Sequence, residues 1–240
     1  GTNGKGSTIS FLRSILKEAD IKCNIYTSPH VQRINERFIY NDEMISDDDL
    51  SNLLNEIEEI NNGQPLTYFE ALTAAFFHGC KNYKENLVIA EFGLFGRGDA
   101  VNILKKNLCN IVTSCSEDHL DWLPKNDRNI ERIIFEKTSS LLESNIVVAK
   151  QTSDVITECI KKNISNNNAN KYYFNENYNF VLKENNFFYY EDKFGGLKIP
   201  KPNLNGQFQL ENASTAIATL RILKDINIKD HHIIGGIQKA

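Results

Sequence analysis

Apolar residues recur at Ile9, Leu12, Ile15 and Leu16, three to four positions apart, and predict an amphipathic helix over residues 7–19. A short strand is predicted at 23–27. Residues 37–40, the pair Asn41-Asp42 and residues 43–45 read as a small hairpin. Ser46 with Asp49 and Thr67 with Glu70 have the spacing of a capping box, opening helices that run to about residue 60 and toward residue 81. Gly63 and Pro65 separate them. Short β-branched runs at 87–90, 111–113 and 146–149 suit buried parallel strands. Helical patterns lie at 129–142, 154–162 and 211–223. Between residues 171 and 199 aromatic runs such as Phe187-Phe188-Tyr189-Tyr190 alternate with turn residues, predicting two or three antiparallel strands. The alternation of strands and helices predicts an α/β fold: a doubly wound, mainly parallel sheet with a small antiparallel β region near 171–199.

Composition narrows the picture. With 240 residues, 41% of them hydrophobic, the chain can form one large α/β domain or two small ones. A net charge of −4 with interspersed signs argues against nucleic-acid binding, which needs a basic patch. No apolar run is long enough for a membrane helix and no signal peptide is visible. The five cysteines (Cys23, Cys80, Cys109, Cys115 and Cys159) are scattered and form no C-x-x-C pair. Reduced thiols in a cytoplasmic protein are the expectation, not a disulfide framework or a zinc site.

The chemistry begins at residue 1. Gly1-Thr2-Asn3-Gly4-Lys5-Gly6-Ser7-Thr8 reads as a phosphate-binding loop. Its glycines let backbone N–H groups approach an anion, Lys5 adds a mobile positive charge, and the following helix points its positive end at the same place. The common template G-x-x-x-x-G-K-[ST] is met only in part, because Gly6 displaces the hydroxyl by one residue. A glycine-rich turn with a Ser/Thr cap is the ordinary alternative. A strand is needed before the loop to aim it, so the chain is expected to be a piece of a longer protein.

Further segments stand where a doubly wound sheet places ligands, just past strand ends: Thr27-Ser28-Pro29-His30, residues 91–99 and residues 117–121. Glu136-Lys137 lies in the next helix. Each has an ordinary reading as a turn, a solvated charge, a core histidine or a helix face. Thr67 and Glu70 read equally as a helix cap or as ligand contacts. Together the strand-end residues are expected to share one sheet edge with the loop, offering oxygen and imidazole ligands for Mg²⁺.

These residues carry a family resemblance. Gly1 to Ser7, Tyr26-Thr27-Ser28-Pro29-His30, Leu66-Thr67-Tyr68-Phe69-Glu70, residues 91–102, Asp118-His119-x-Asp121-Trp122-Leu123 and Glu136-Lys137 resemble the dihydrofolate synthase/folylpolyglutamate synthase family of the Mur ligase superfamily. The resemblance is strongest over 1–137, thin over 150–200, and resumes at 206–213, where Asn212-Ala213 matches an adenine-side motif. It implies a P-loop NTPase-like central ATP-binding domain spanning 1–240, with a preceding segment and a C-terminal glutamate-ligase domain outside this sequence. It also implies an ATP-dependent ligase that adds L-glutamate to dihydropteroate or folates through an acyl phosphate. A carboxylate has no good leaving group until it is phosphorylated, and phosphoryl transfer needs positioning and charge neutralisation.

By the same resemblance, Gly1, Thr2, Asn3, Gly4, Lys5, Gly6, Ser7 and Asn212 would bind ATP. Ser28, Glu91, His119 and Lys137 would hold Mg²⁺, at two sites, with Lys137 carried as a carbamate. Free lysine is cationic and cannot ligate a metal. Lys5, His119 and Lys137 would be catalytic, and Thr67, Tyr68, Phe69, Glu70 and Asp99 would face the pterin. The implied partners are small molecules, with no nucleic acid and no membrane, in a cytoplasmic monomer.

The chain departs from the family pattern at Phe95, where a glycine is usual, at Val101, where a threonine is usual, and at Thr138-Ser139-Ser140. Phe95 puts bulk where backbone would approach substrate. Other readings are a cell-wall peptide ligase of the same superfamily, a P-loop kinase or GTPase, and a non-catalytic remnant. The kinase or GTPase reading lacks a hydroxyl directly after Lys5 and a guanine-reading motif. The remnant is opposed by the intact Lys5, Glu91, His119 and Lys137.

Overall fold

The structure, a computed structural model, describes residues 3–184, 186–204 and 206–240. In chain order the elements are α1 (Lys5–Glu18), β1 (Cys23–Tyr26), β2 (Phe38–Tyr40), β3 (Glu43–Met44), α2 (Asp47–Asn61), α3 (Tyr68–Gly79), β4 (Leu87–Ala90), β5 (Cys109–Val112), α4 (Ile130–Thr138), β6 (Asn145–Val148), α5 (Asp154–Asn163), β7 (Asn170–Tyr173), β8 (Tyr178–Glu184), β9 (Phe187–Asp192), β10 (Gly195–Pro200), α6 (Phe208–Ile222) and α7 (Asp230–Lys239). They form two compact units. One holds residues 1–20, 95–97 and 104–240; the other holds 21–94 and 98–103. Among the described residues no helix is long and apolar enough to cross a membrane.

The smaller unit is built on a four-stranded sheet of order β3-β2-β1-β4. β1 is one of its two inner strands, buried along its length, antiparallel to β2 and parallel to β4. Both predicted caps form: Ser46 Oγ accepts from the Asp49 N–H at the head of α2, and Thr67 and Glu70 close a reciprocal box at the head of α3. The apolar faces of α2 and α3 meet the sheet in a core rich in aromatic rings. Phe76 stacks on Tyr26 at 5.0 Å and on Tyr40 at 5.5 Å between ring centroids. Val101 joins this core, which accounts for a fully apolar residue at that position. The run at 87–90 is not the buried strand its composition suggested. β4 has one partner in this sheet, and Val88 is 43% exposed.

The larger unit carries a parallel sheet of order β5-β6-β7 and an antiparallel one of order β10-β9-β8. The aromatic-rich region therefore divides. Its first strand, expected to be antiparallel, pairs parallel with β6, and the antiparallel meander starts at Tyr178. β6 is central and its apolar residues are buried against α4 and α5 in an aliphatic core. α4 stops at Thr138, four residues short of the expected end, where the Thr138 hydroxyl turns back on the Ile134 carbonyl at 2.7 Å. α6 is buried on nearly every side. The hydroxyls of Ser214, Thr215 and Thr219 stay satisfied by bonding the carbonyl four residues back. α7 was not anticipated. It packs on α1, and a Cβ on Gly236 would lie 2.5 Å from Ile15 Cα, so glycine there permits the close approach.

Candidate functional site

In the larger unit, the loop of residues 3–8 leads into α1, whose 14 residues begin at Lys5. Gly4 sits at φ +84°, in the left-handed region that glycine enters freely, and no side chain caps the helix. The first-turn N–H groups thus have no side-chain cap, the arrangement that suits an anion. The Asn3 N–H donates to the Ser114 carbonyl at 3.1 Å, fixing the loop to the segment after β5. A Cβ on Gly4 would run into the Asn212 side-chain oxygen, so the structure brings Asn212 against the loop. Gly6 and Ser7 lie in the first turn of α1, and Thr8 Oγ1 is buried with no hydrogen-bond partner. Gly1 and Thr2 lie outside the described residues.

The segment after β5 carries His119. The Cys115 N–H donates to Gln151 Oε1 at 2.9 Å and anchors the start of the turn. His119 itself has φ +56°, uncommon for a non-glycine residue, and its Nε2 lies 3.0 Å from Asp118 Oδ2. Lys137, in the last turn of α4, is buried. Between them stands Phe95. Its ring meets the His119 ring edge-on at 6.1 Å and lies 5.5 Å from Lys137 Nζ.

Glu136, of the Glu136-Lys137 motif, is engaged by cations. Arg97 binds its carboxylate with two bonds, Nε to Oε2 at 2.8 Å and Nη2 to Oε1 at 2.9 Å, and Arg132 Nη2 adds a third contact at 2.6 Å. These cations hold the Glu136 carboxyl below the usual carboxylate range, with the Arg97 hydrogen bonds first among the causes. Arg97 and Arg132 were not picked out from the sequence. The i,i+4 spacing of Arg132 and Glu136 was the available signal.

In the smaller unit, Ser28 and Glu91 follow β1 and β4, which run parallel and in register, so their ends are neighbours. The Ser28 N–H donates to Glu91 Oε2 at 3.3 Å, and the Glu91 N–H to the Tyr26 carbonyl at 2.9 Å. Ser28 Oγ is buried with no hydrogen-bond partner. A buried, unpartnered hydroxyl beside a buried carboxylate is an all-oxygen donor pair that suits Mg²⁺, which keeps several waters and asks for few protein ligands. Among the described residues no group of three or more His, Cys, Asp and Glu could hold a metal.

The residues expected to face a pterin lie in this unit too. Thr67 and Glu70 cap α3, with Thr67 N to Glu70 Oε2 at 2.8 Å and Glu70 N to Thr67 Oγ1 at 3.2 Å. Tyr68 is exposed and takes the Arg37 guanidinium over its ring at 5.9 Å. Phe69 sits where a Cβ on Gly93 would approach its ring to 2.7 Å. Asp99 accepts the N–H groups of Gly93, Leu94 and Val101 at 2.9, 3.0 and 2.9 Å, shaping the loop after Glu91.

The structure thus gathers the predicted residues in two sets: Asn3, Gly4, Lys5, Asn212, His119 and Lys137 in one unit, and Ser28, Glu91, Thr67–Glu70 and Asp99 in the other. The Mur ligase middle domain family profile matches residues 1–220. The chain belongs to the Mur ligase middle-domain family. It is 36% identical over 169 residues to the dihydrofolate synthase/folylpolyglutamate synthase of Bacillus subtilis, a match that takes in 67% of this chain and 38% of that protein. Among solved structures it resembles Escherichia coli FolC in complex with DHPP and ADP, with TM-score 0.88 and 32% identity, over 100% of this chain and 55% of that one. It also resembles the Yersinia pestis bifunctional folylpolyglutamate synthase/dihydrofolate synthase complexed with AMPPNP and Mn ion, with TM-score 0.87 and 30% identity, over 100% and 56%. This Mur ligase middle domain therefore spans about half the length of those solved relatives and under half of the curated one.

Proposed function

We propose that this chain is the ATP-binding central part, residues 1–240, of a ligase that joins L-glutamate to dihydropteroate, to folates carrying a glutamate tail, or to both. The observation that carries the reading is the likeness of the whole chain to a protein whose solved complex holds DHPP and ADP. The donor chemistry supports it. Asn3, Gly4, Lys5, Gly6 and Ser7 would receive the nucleotide phosphates at the head of α1, with Asn212 on the adenine side; Gly1 and Thr2, which precede them in the sequence motif, would share that role.

The terminal phosphoryl group passes from ATP to the substrate carboxylate. A new oxygen–phosphorus bond forms and the bond to ADP breaks. The amine of L-glutamate then attacks the activated carbonyl, phosphate leaves, and an amide remains. Lys5 would neutralise charge on the phosphates as they separate. Ser28 and Glu91 would hold Mg²⁺. His119 would serve a second position together with Lys137, whose carbamate form supplies the anionic oxygen that an ammonium lacks. The metal's contribution is to offset phosphate charge. Thr67, Tyr68, Phe69, Glu70 and Asp99 would border the pterin. The protein acts as a cytoplasmic monomer on small molecules.

The test is glutamate-dependent ADP release by the full-length protein, with dihydropteroate and tetrahydrofolate offered separately. Release with one or both is expected and tells which substrate is used. ADP release that ignores glutamate, or none with either substrate, would overturn the reading.

A further inference from the structure

We infer that Phe95, a residue that departs from the family pattern, is a positioning residue for Lys137 and His119; the inference rests on the ligase reading above for its kinetic consequence, though not for its geometry. Phe95 is 9% exposed, and its ring is shared by the two side chains: edge-on to His119 at 6.1 Å, and 5.5 Å from Lys137 Nζ. A ring in that place limits the directions both can take.

The backbone that follows the ring is anchored. The Gly96 and Arg97 N–H groups both donate to the Glu136 carbonyl at 3.0 Å. The Arg97 guanidinium then closes on the Glu136 carboxylate with two bonds, and Arg132 Nη2 lies 2.6 Å from the same Oε1 that Arg97 Nη2 binds. Both guanidinium groups lie over the Phe135 ring, at 5.7 and 5.4 Å. Gly96 completes the clamp by its lack of a side chain. A Cβ there would come within 3.0 Å of the Lys137 carbonyl and of Ser140 Oγ. Residues 96 and 97 are thereby fastened to the turn of α4 that carries Lys137, which holds the backbone next to Phe95 beside that turn. The side chain that the sequence marked as a bulky intrusion is a wall built against the two residues proposed for the chemistry.

The experiment uses the full-length protein, with Phe95→Leu to remove the ring while keeping an apolar side chain, and Phe95→Tyr to restore the ring. The first readout does not depend on turnover. In protein labelled at lysine and histidine, with Lys137 assigned through K137R, the ε-methylene protons of Lys137 and the ring protons of His119 should carry ring-current shifts. These should be lost in Phe95→Leu and kept in Phe95→Tyr. The second readout is kinetic. Phe95→Leu should lower kcat by roughly tenfold to a hundredfold, as misplacement of a reacting group does, with the KM for ATP within about twofold. Phe95→Tyr should recover most of it. A Lys137 resonance without a ring-current shift in the wild type, or a folded Phe95→Leu enzyme with wild-type kcat, overturns the inference. If Phe95→Leu does not fold, the wild-type and Phe95→Tyr spectra decide. If the wild-type enzyme shows no ligation, the function reading fails and the spectra still decide the positioning.

Discussion

Ser28 and Lys137 are both buried, and they are kept in opposite ways. Ser28 Oγ, in the smaller unit, has no hydrogen-bond partner, and the chain does nothing to satisfy it. The turn of α4 that carries Lys137 is fastened by two guanidinium groups on Glu136 and covered by an aromatic ring. The first arrangement leaves a polar group unsatisfied, at a cost in stability, as the metal site proposed above would require. The second uses charge to hold a side chain in place. A site can thus be prepared by withholding partners or by supplying them, and the two differ in how they respond to mutation and to pH.

The largest effect should come from the support under Ser28 and Glu91. Phe76 contacts Tyr26, Phe38, Tyr40 and Phe77, and no aliphatic residue could fill that stack. Phe76→Ala should cost about 3–5 kcal/mol, read from the urea midpoint. Ile146→Ala, in the aliphatic core of the larger unit, should cost about 2–5 kcal/mol, a range that aliphatic packing can partly relax. A milder effect at Phe76 than at Ile146 would show that the aromatic stack is not the main prop of its unit.

Next comes the unpartnered hydroxyl. Ser28→Ala should lower glutamate-dependent turnover about a hundredfold or more, some 2.7 kcal/mol in the barrier. At the same time it should leave stability unchanged or raise it by about 1 kcal/mol, because a buried hydroxyl without a bond is a cost that alanine removes. A clear loss of stability would mean that Ser28 has a structural partner and is not a group held open.

The clamp should behave in the opposite sense. Glu136→Gln should destabilise at neutral pH by about 1–2 kcal/mol, less than a fully buried pair would, because Arg97 is 56% exposed. Its pH dependence follows from the lowered carboxyl pKa. A carboxylate held below its unfolded value of about 4.3 contributes fully above that value and loses its contribution as pH falls through the folded one. The gap between wild type and Glu136→Gln in urea should therefore hold from pH 7 to about 5 and narrow steadily as pH falls below the unfolded value of about 4.3. A gap that does not narrow on acidification would assign the clamp to packing on Phe135 and not to charge.

What could be read in advance divides along the same line. The caps of α2 and α3 were legible because Ser46–Asp49 and Thr67–Glu70 act over three residues, and local chemistry decides them. The hairpin at Asn41-Asp42 was legible for the same reason, both residues taking positive φ. The candidate site residues were picked out as motifs; the contact of Asn212 with the loop was not among the expectations, because it joins residues far apart in sequence. The exposure of β4 was not legible, because it depends on which strands flank it and composition carries no such information. α7 was hidden by Gly235-Gly236, which lower helix propensity; Gly236 serves a helix crossing visible only in three dimensions. The work done by Phe95, Arg97 and Glu136 was hidden because it joins residues 39 positions apart in sequence.

The smallest effect bears on the one place where cap and ligand compete. Thr67 Oγ1 accepts the Glu70 N–H, and that bond uses the acceptor side of the hydroxyl only. The hydroxyl proton faces the Glu70 carboxylate, whose pKa this contact lowers, so touching a pterin would require the proton to turn from Glu70 to the ligand while the oxygen goes on capping α3. Thr67→Ala removes both, and should cost about 1 kcal/mol of stability and raise the pterin KM by up to about tenfold. Thr67→Ser keeps both and should leave both measurements near wild type. Thr67→Asp separates them. An ionised carboxylate is as good a cap as threonine or better, and it gains from the positive end of α3, but it has no proton to give. Stability should therefore be kept while the pterin KM rises as it does in Thr67→Ala. If the KM in Thr67→Asp stays at the wild-type value, Thr67 is a helix cap alone, and the smaller unit recognises the pterin without it.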